Sequence, residues 1–193
     1  GLCEASRTLA TPVRLRSATL PETTDRFIQL LNDAAPKVLV LVGTFEQETG
    51  FLRTRNAWPK SIRHVAGISA GVRHFLDSVG TLAEDIIGPS QWEPAVPRVR
   101  LIGPTSAQFV NDFTNSFHEM PDYPAAGAFA TGLIIEECIR RAGSCAESTL
   151  RQSACDLQTE TFYGRFQIDE SGRQTGHEIQ LVQWQKAKKI VLT

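Results

Sequence analysis

The sharpest catalytic pattern in the chain is Gly67-Ile68-Ser69-Ala70-Gly71, which fits G-x-S-x-G and lies between a predicted strand (62–67) and a predicted helix (70–80). A serine so placed would act as a nucleophile. An esterase would also need an acid and then a histidine further along, and Asp156 or Asp169 with His177 keeps that order. Against this, Asp169 and His177 fall around a predicted turn, and no His- and Gly-rich oxyanion loop precedes the motif. A serine hydrolase using Ser69 is therefore the alternative; the plainer reading is a turn of small residues whose backbone lets a ligand approach.

Other chemistries find less support. His64, His74, His118 and His177 show no HxxxH spacing, and Cys3, Cys138, Cys145 and Cys155 form no CxxC pair, so no metal is expected. An oxidising compartment would permit a bridge among the last three cysteines, with free thiols the plainer expectation. Neither GxxxxGK nor GxGxxG occurs, so no nucleotide cofactor is expected. Glu46 with Glu48, and Glu136 with Glu137, read as solvated helix faces.

The elements that would position any site come from periodicity. Residues 12–19 alternate like a strand, and the stretch after them sets Phe27, Ile28, Leu30, Leu31 and Ala34 along one side of a helix that Pro36 ends. The run 37–42, KVLVLV, is expected to be a strand buried on both faces of a parallel sheet. Helices over 45–56 and 70–80 and strands over 62–67 and 84–90 continue the alternation, which makes the first half α/β with right-handed crossovers. Three prolines in the 12 residues 93–104 mark a connector.

Beyond the connector lie two helices. One starts from Thr105 or Ser106 as N-cap and presents Phe109, Val110, Phe113 and Phe117; the other spans about 123–142, with Ala126, Phe129, Ala130, Leu133, Ile134 and Cys138 on a face widened by Ile135 and Ile139. A third helix is predicted over 146–154. A hairpin from Phe162 to Gln185, turning at Asp169–Gly172, and a last strand at 188–193 complete the chain.

In an open α/β sheet, ligands bind beyond the C-terminal ends of the strands. The residues to watch are thus Thr44 and Phe45, then Gly67, Ile68 and Ser69, then Gln91 and Trp92 after Ser90. Aromatic rings beside hydroxyl and amide groups suit a small polar molecule. Bulk properties agree: 193 residues, net charge -1 from 20 basic and 21 acidic residues, 41% hydrophobic and 21% charged describe an ordinary globular chain. Nucleic acid is not expected as a partner, because no basic face is concentrated. No apolar run nears the roughly 20 residues of a membrane span. The start at Gly1-Leu2-Cys3 reads as processed.

The phrases GPSQWEP (88–94), PDYPAAGAFATGLIIEECIRRAG (121–143) and TFYGRFQIDESGRQTGHEIQLVQWQ (161–185), with residues 27–54 ahead of them, resemble the C-terminal half of type I periplasmic binding proteins. The branch is that of the leucine/isoleucine/valine-binding-protein-like receptors of ABC importers. This resemblance implies a Rossmann-like C-terminal lobe, incomplete, over 1–83 and 176–193, and a hinge crossing with a partial second lobe of helices and a crossing hairpin over 84–175. It implies an exported, periplasmic or extracellular protein, lipid-anchored where the family is, that holds an amino-acid-like ligand between lobes and delivers it to a membrane permease without catalysis. A sensor domain of a receptor or kinase is the alternative within the fold.

Two departures qualify the resemblance. The family's first half has no counterpart here. An acidic residue that often pairs with a ligand's ammonium group is replaced by Ile68-Ser69. In that pattern the apolar faces of helices 105–117 and 123–142 lack the sheet they would meet. At roughly 25 cal/mol per Å², several hundred bare Å² would cost on the order of 10 kcal/mol, so self-association, or a separate N-terminal portion, is expected to cover them.

Overall fold

The computed structural model describes residues 14–19 and 23–192. Thr23 starts helix α1 (Thr24–Ala34) by accepting the Arg26 N–H on its side chain, and Ala35 turns left-handed (φ 43°) ahead of Pro36. Strand β1 (Val38–Leu41) follows, then α2 (Phe45–Leu52), which opens on a capping box between Thr44 and Gln47. Strand β2 (His64–Gly67) runs into a 3₁₀ turn (Ile68–Gly71), then α3 (His74–Val79) and β3 (Ile86–Ser90).

There the chain leaves the sheet. It forms α4 (Ser106–Phe117), α5 (Tyr123–Ala142), α6 (Glu147–Asp156) and a small hairpin of β4 (Thr159–Thr161) with β5 (Gly164–Phe166). It then returns as β6 (Gln180–Gln185) and β7 (Lys188–Leu192).

The main sheet has the order β1-β2-β3-β6-β7. Its first three strands are parallel, with Leu41 opposite Gly67 and Ala66 opposite Ile87. The last two are antiparallel additions, with Gly88 opposite Val182 and Val182 opposite Val191. The α/β class read from the sequence is thus the architecture observed.

Helices α1, α2 and α3 all cover one face, where Phe27, Leu31, Phe51, Leu52, Phe75 and Val79 pack on Leu41, Val65, Ile86 and Trp184. Among the described residues the opposite face is bare. Register carries it across the sheet from Val40 through Ala66, Ile87 and Gln183 to Ile190. Val38, Val40, Val42, Ile179, Leu181, Ile190 and Leu192 are exposed. KVLVLV is therefore not buried on both faces as expected: among the described residues β1 is an edge strand with helices on one side alone.

A second core forms after β3, from Trp92, Phe109, Ala126 and Phe162. Phe109 and Phe162 stack at 4.6 Å, and Trp92 stands edge-on to both at 5.8 Å. Within the first core, Trp184 Nε1 donates to Ala70 O at 2.8 Å. Polar contacts from Lys189 bridge the two cores. Lys189 Nζ lies 2.6 Å from Glu93 Oε1, 3.0 Å from Gly71 O and 3.4 Å from Asp122 Oδ1, which also caps α5. The 3₁₀ turn rides directly on β3, since a Cβ on Gly71 would stand 1.7 Å from Pro89 O.

Several sequence expectations change. Residues 14–19 carry no strand, and residues 12–13 and Cys3 lie outside the described residues. The helix expected over 45–56 stops at Leu52 and resumes as a 3₁₀ turn, Arg55–Ala57; that over 70–80 splits into the 3₁₀ turn and α3. The long hairpin is three features. Phe162 and Tyr163 form the tip between β4 and β5, Ile168 bridges Gln174 around the expected turn, and β6 pairs with β3 and β7. Glu137 is not solvated: it is buried and gripped by Arg140 and Arg141 at 2.6 Å each. Cys138, Cys145 and Cys155 are free thiols.

Candidate functional site

Parallel pairing of β1, β2 and β3 brings their C-terminal ends to one edge of the sheet. Because Leu41 lies opposite Gly67, the segments Gly43–Phe45 and Ile68–Ser69 emerge side by side. Glu48 ties them together. Its Oε1 accepts the Gly43 N–H at 3.0 Å and its Oε2 the Ser69 N–H at 2.8 Å, with 1% of the residue exposed. The reading of Glu48 as a solvated carboxylate is thereby corrected. A sequence signal did exist: Glu48 precedes Phe51 and Leu52 by three and four positions, which puts it on the buried side of α2.

The other shortlisted residues divide. Thr44 is exposed, with its side chain engaged in the α2 cap. Phe45 is half-buried and stacks on His74, with ring centroids 5.4 Å apart. Ile68 is 51% exposed and Ser69 is 8% exposed. At the end of β3, Ser90 Oγ donates to Trp92 O, and exposed Gln91 accepts the Tyr163 hydroxyl on Oε1 at 2.9 Å. Trp92, 1% exposed, is packed in the second core and contributes shape rather than surface. The edge thus presents Thr44, Phe45, Ile68 and Gln91 outward over buried Gly67, Ser69 and Glu48.

This edge is an open surface. Two cavities, of about 330 and 410 Å³, lie elsewhere, and of the shortlisted residues they involve only Trp92. Nor are the parts of a hydrolase assembled. His177 stacks on Tyr163 at 4.8 Å and lies against Gly164, its Nε2 without a partner among the described residues. Asp169 accepts from Ser171 and Arg173 within its own turn, and Asp156 from Gln152. Among the described residues no group of three His, Cys, Asp or Glu could hold a metal, and no helix is long and apolar enough to cross a membrane.

The profile of the periplasmic binding protein family matches residues 22–189. The chain belongs to the periplasmic binding protein family. Solved structures agree on the fold. A leucine-binding protein from Thermotoga maritima superposes with a TM-score of 0.75 at 14% identity, over 94% of this chain and 50% of its own. A putative branched-chain amino acid ABC transporter protein from Rhodospirillum rubrum gives 0.69 at 19% identity, over 89% and 49%. An extracellular ligand-binding receptor from Rhodopseudomonas palustris gives 0.68 at 15%, over 86% and 50%. This periplasmic binding protein chain spans about half the length of those structures, and no curated protein sequence matches it. Membership implies an extracytoplasmic location and a solute-binding rather than an enzymatic family.

Proposed function

We propose that this chain is the C-terminal half of an extracytoplasmic solute-binding protein of an ABC importer, lipid-anchored or not, which presents a small polar or amino-acid-like ligand to a permease and catalyses nothing. The observation that carries the reading is the strand-end edge. Thr44, Phe45, Ile68 and Gln91 face outward there, and the loops behind them are locked by Glu48. Gly67 and Ser69 complete the contact set at the backbone, with Trp92 shaping its base. Lobe closure would bring an opposing surface onto that edge.

We place the lobes at 1–83 with 176–193 and at 84–175; the presence of two hydrophobic clusters supports a division near there, although Ile86 and β3 belong with the first. The lobes' open apolar surfaces argue for a cover. A preceding half like the one the longer relatives possess, or a second copy of this chain, would supply it. A sensor role is the second reading, favoured by the likeness to an extracellular ligand-binding receptor.

The test is a thermal-shift screen of free amino acids and small carboxylates against the chain joined to its preceding half. Stabilisation by one ligand, abolished by Phe45→Ala with Ile68→Asp, supports the reading. A fluorophosphonate probe that labels Ser69 would instead establish the hydrolase.

A further inference from the structure

Four segments meet where β3 leaves the sheet and β6 returns to it. Gln91 follows β3, Arg98 stands in the connector, Tyr163 is at the tip between β4 and β5, and His177 precedes β6. The Tyr163 hydroxyl donates to Gln91, its ring lies at 15° to the His177 imidazole, and its outer edge packs against Gly127 of α5. Gly164, at φ 150°, makes room for this: a Cβ there would stand 2.7 Å from His177 Nδ1 and 3.4 Å from Arg98 Nη1. The imidazole is thus wedged between an aromatic ring, a bare stretch of backbone and a guanidinium.

Arg98 Nε, Arg98 Nη2 and His177 Nε2 are shut off from solvent and have no hydrogen-bond partner among the described residues. Two of these atoms are permanent donors, and the third is able to accept as long as the imidazole is neutral. Protonation would turn it into another donor beside a fixed cation, with nothing to receive any of the three.

We propose that these four residues form an acid-sensitive clasp, in which neutral His177 holds the two crossing segments together and its protonation beside Arg98 loosens them. The clasp needs no ligand to operate. Its consequence for ligand capture alone rests on the solute-binding reading.

The surrounding charges favour this behaviour. Burial, and then the Arg98 charge, hold the His177 imidazole below its ordinary value of 6.5, against smaller opposing effects of the Gln91 backbone and Glu178. Tyr163 stays neutral throughout, since burial chiefly, with Tyr123 adding, pushes its phenol up to about 12. A depressed histidine contributes stability that is complete above about pH 6.5 and is lost as pH falls from there to the folded-state value.

The experiment is an NMR titration of the His177 Cε1–H in the 193-residue chain and in Arg98→Gln. It is paired with hydrogen-exchange protection of Ser90 and Gln180, which pair across β3 and β6. His177 should titrate below 6.5 and move upward in Arg98→Gln. Protection at Ser90 and Gln180 should fall at least tenfold between pH 7.5 and 5 while that of Val65 holds, and His177→Gln should abolish the difference. If His177→Gln does not fold, wild type and Arg98→Gln still decide. Titration at or above 6.5, protection unchanged with pH, or the same loss in His177→Gln would each overturn the clasp.

Discussion

Glu48 shows how much one side chain can organise. Its carboxylate, itself 1% exposed, receives two backbone N–H groups from neighbouring strand ends, that of Ser69 buried and that of Gly43 nearer the surface. Glu48→Ala would strand the buried Ser69 N–H while water can reach that of exposed Gly43, so at about 1–3 kcal/mol for an unsatisfied buried group the expected loss is about 1–3 kcal/mol, read by urea denaturation. Glu137 offers a pH test. Hydrogen bonds from Arg140 and Arg141 hold its carboxyl down to about 2, against an ordinary 4.5. The folded value is the lower one, so the stabilisation is present above pH 4.5 and disappears as pH falls toward 2. Thermal melts across that window should slope downward in wild type and less steeply in Glu137→Gln. Capping residues were legible at this scale: Thr105 caps α4 and Gly172 takes φ 83° in its turn. The buried carboxylates were misread: the spacing of Glu48 to Phe51 and Leu52 carried a signal, but paired acids such as Glu46 with Glu48 and Glu136 with Glu137 look like a solvated face.

Elements that satisfy themselves locally could be read from the chain, whereas elements that depend on distant partners could not. Helices α4 and α5 carry their own caps and stripes, and both lie where periodicity placed them. The Phe162–Gln185 stretch misled because β6 finds its partners in β3, some ninety residues earlier, and in β7. Contact at a distance also sets the 3₁₀ turn. Gly71→Ala would drive a methyl group into the Pro89 carbonyl, with an expected cost of about 3 kcal/mol or more and a matching drop in midpoint denaturant. The joint between cores has an electrostatic counterpart. Lys189→Met would leave buried Glu93 unpaired, at a cost of about 3–5 kcal/mol, and adding Glu93→Gln should recover part of it in the same unfolding assay.

At the scale of the whole fold the governing fact is a sheet that, among the described residues, has helices on one side. A parallel sheet is stable when both faces are covered, yet here the face running from Val38 to Leu192 is open, and α4 and α5 leave Phe117, Phe129 and Ile135 exposed. The sequence revealed the second surface, since helical stripes are visible in one segment. It hid the first, since a run such as KVLVLV is equally apolar whether one face or two is buried. Exposure on this scale promotes association, so the chain alone should run above its 21.3 kDa mass in light scattering. Val40→Lys with Leu181→Lys should lower that mass if the sheet face is the contact, and Phe129→Lys with Ile135→Lys if the helices are. The exposed side chains contribute little packing within one copy, so each pair should move stability by no more than about 1 kcal/mol. A chain that is monomeric with or without these changes would show that the bare faces tolerate water, and the need for a covering half would lose its physical basis.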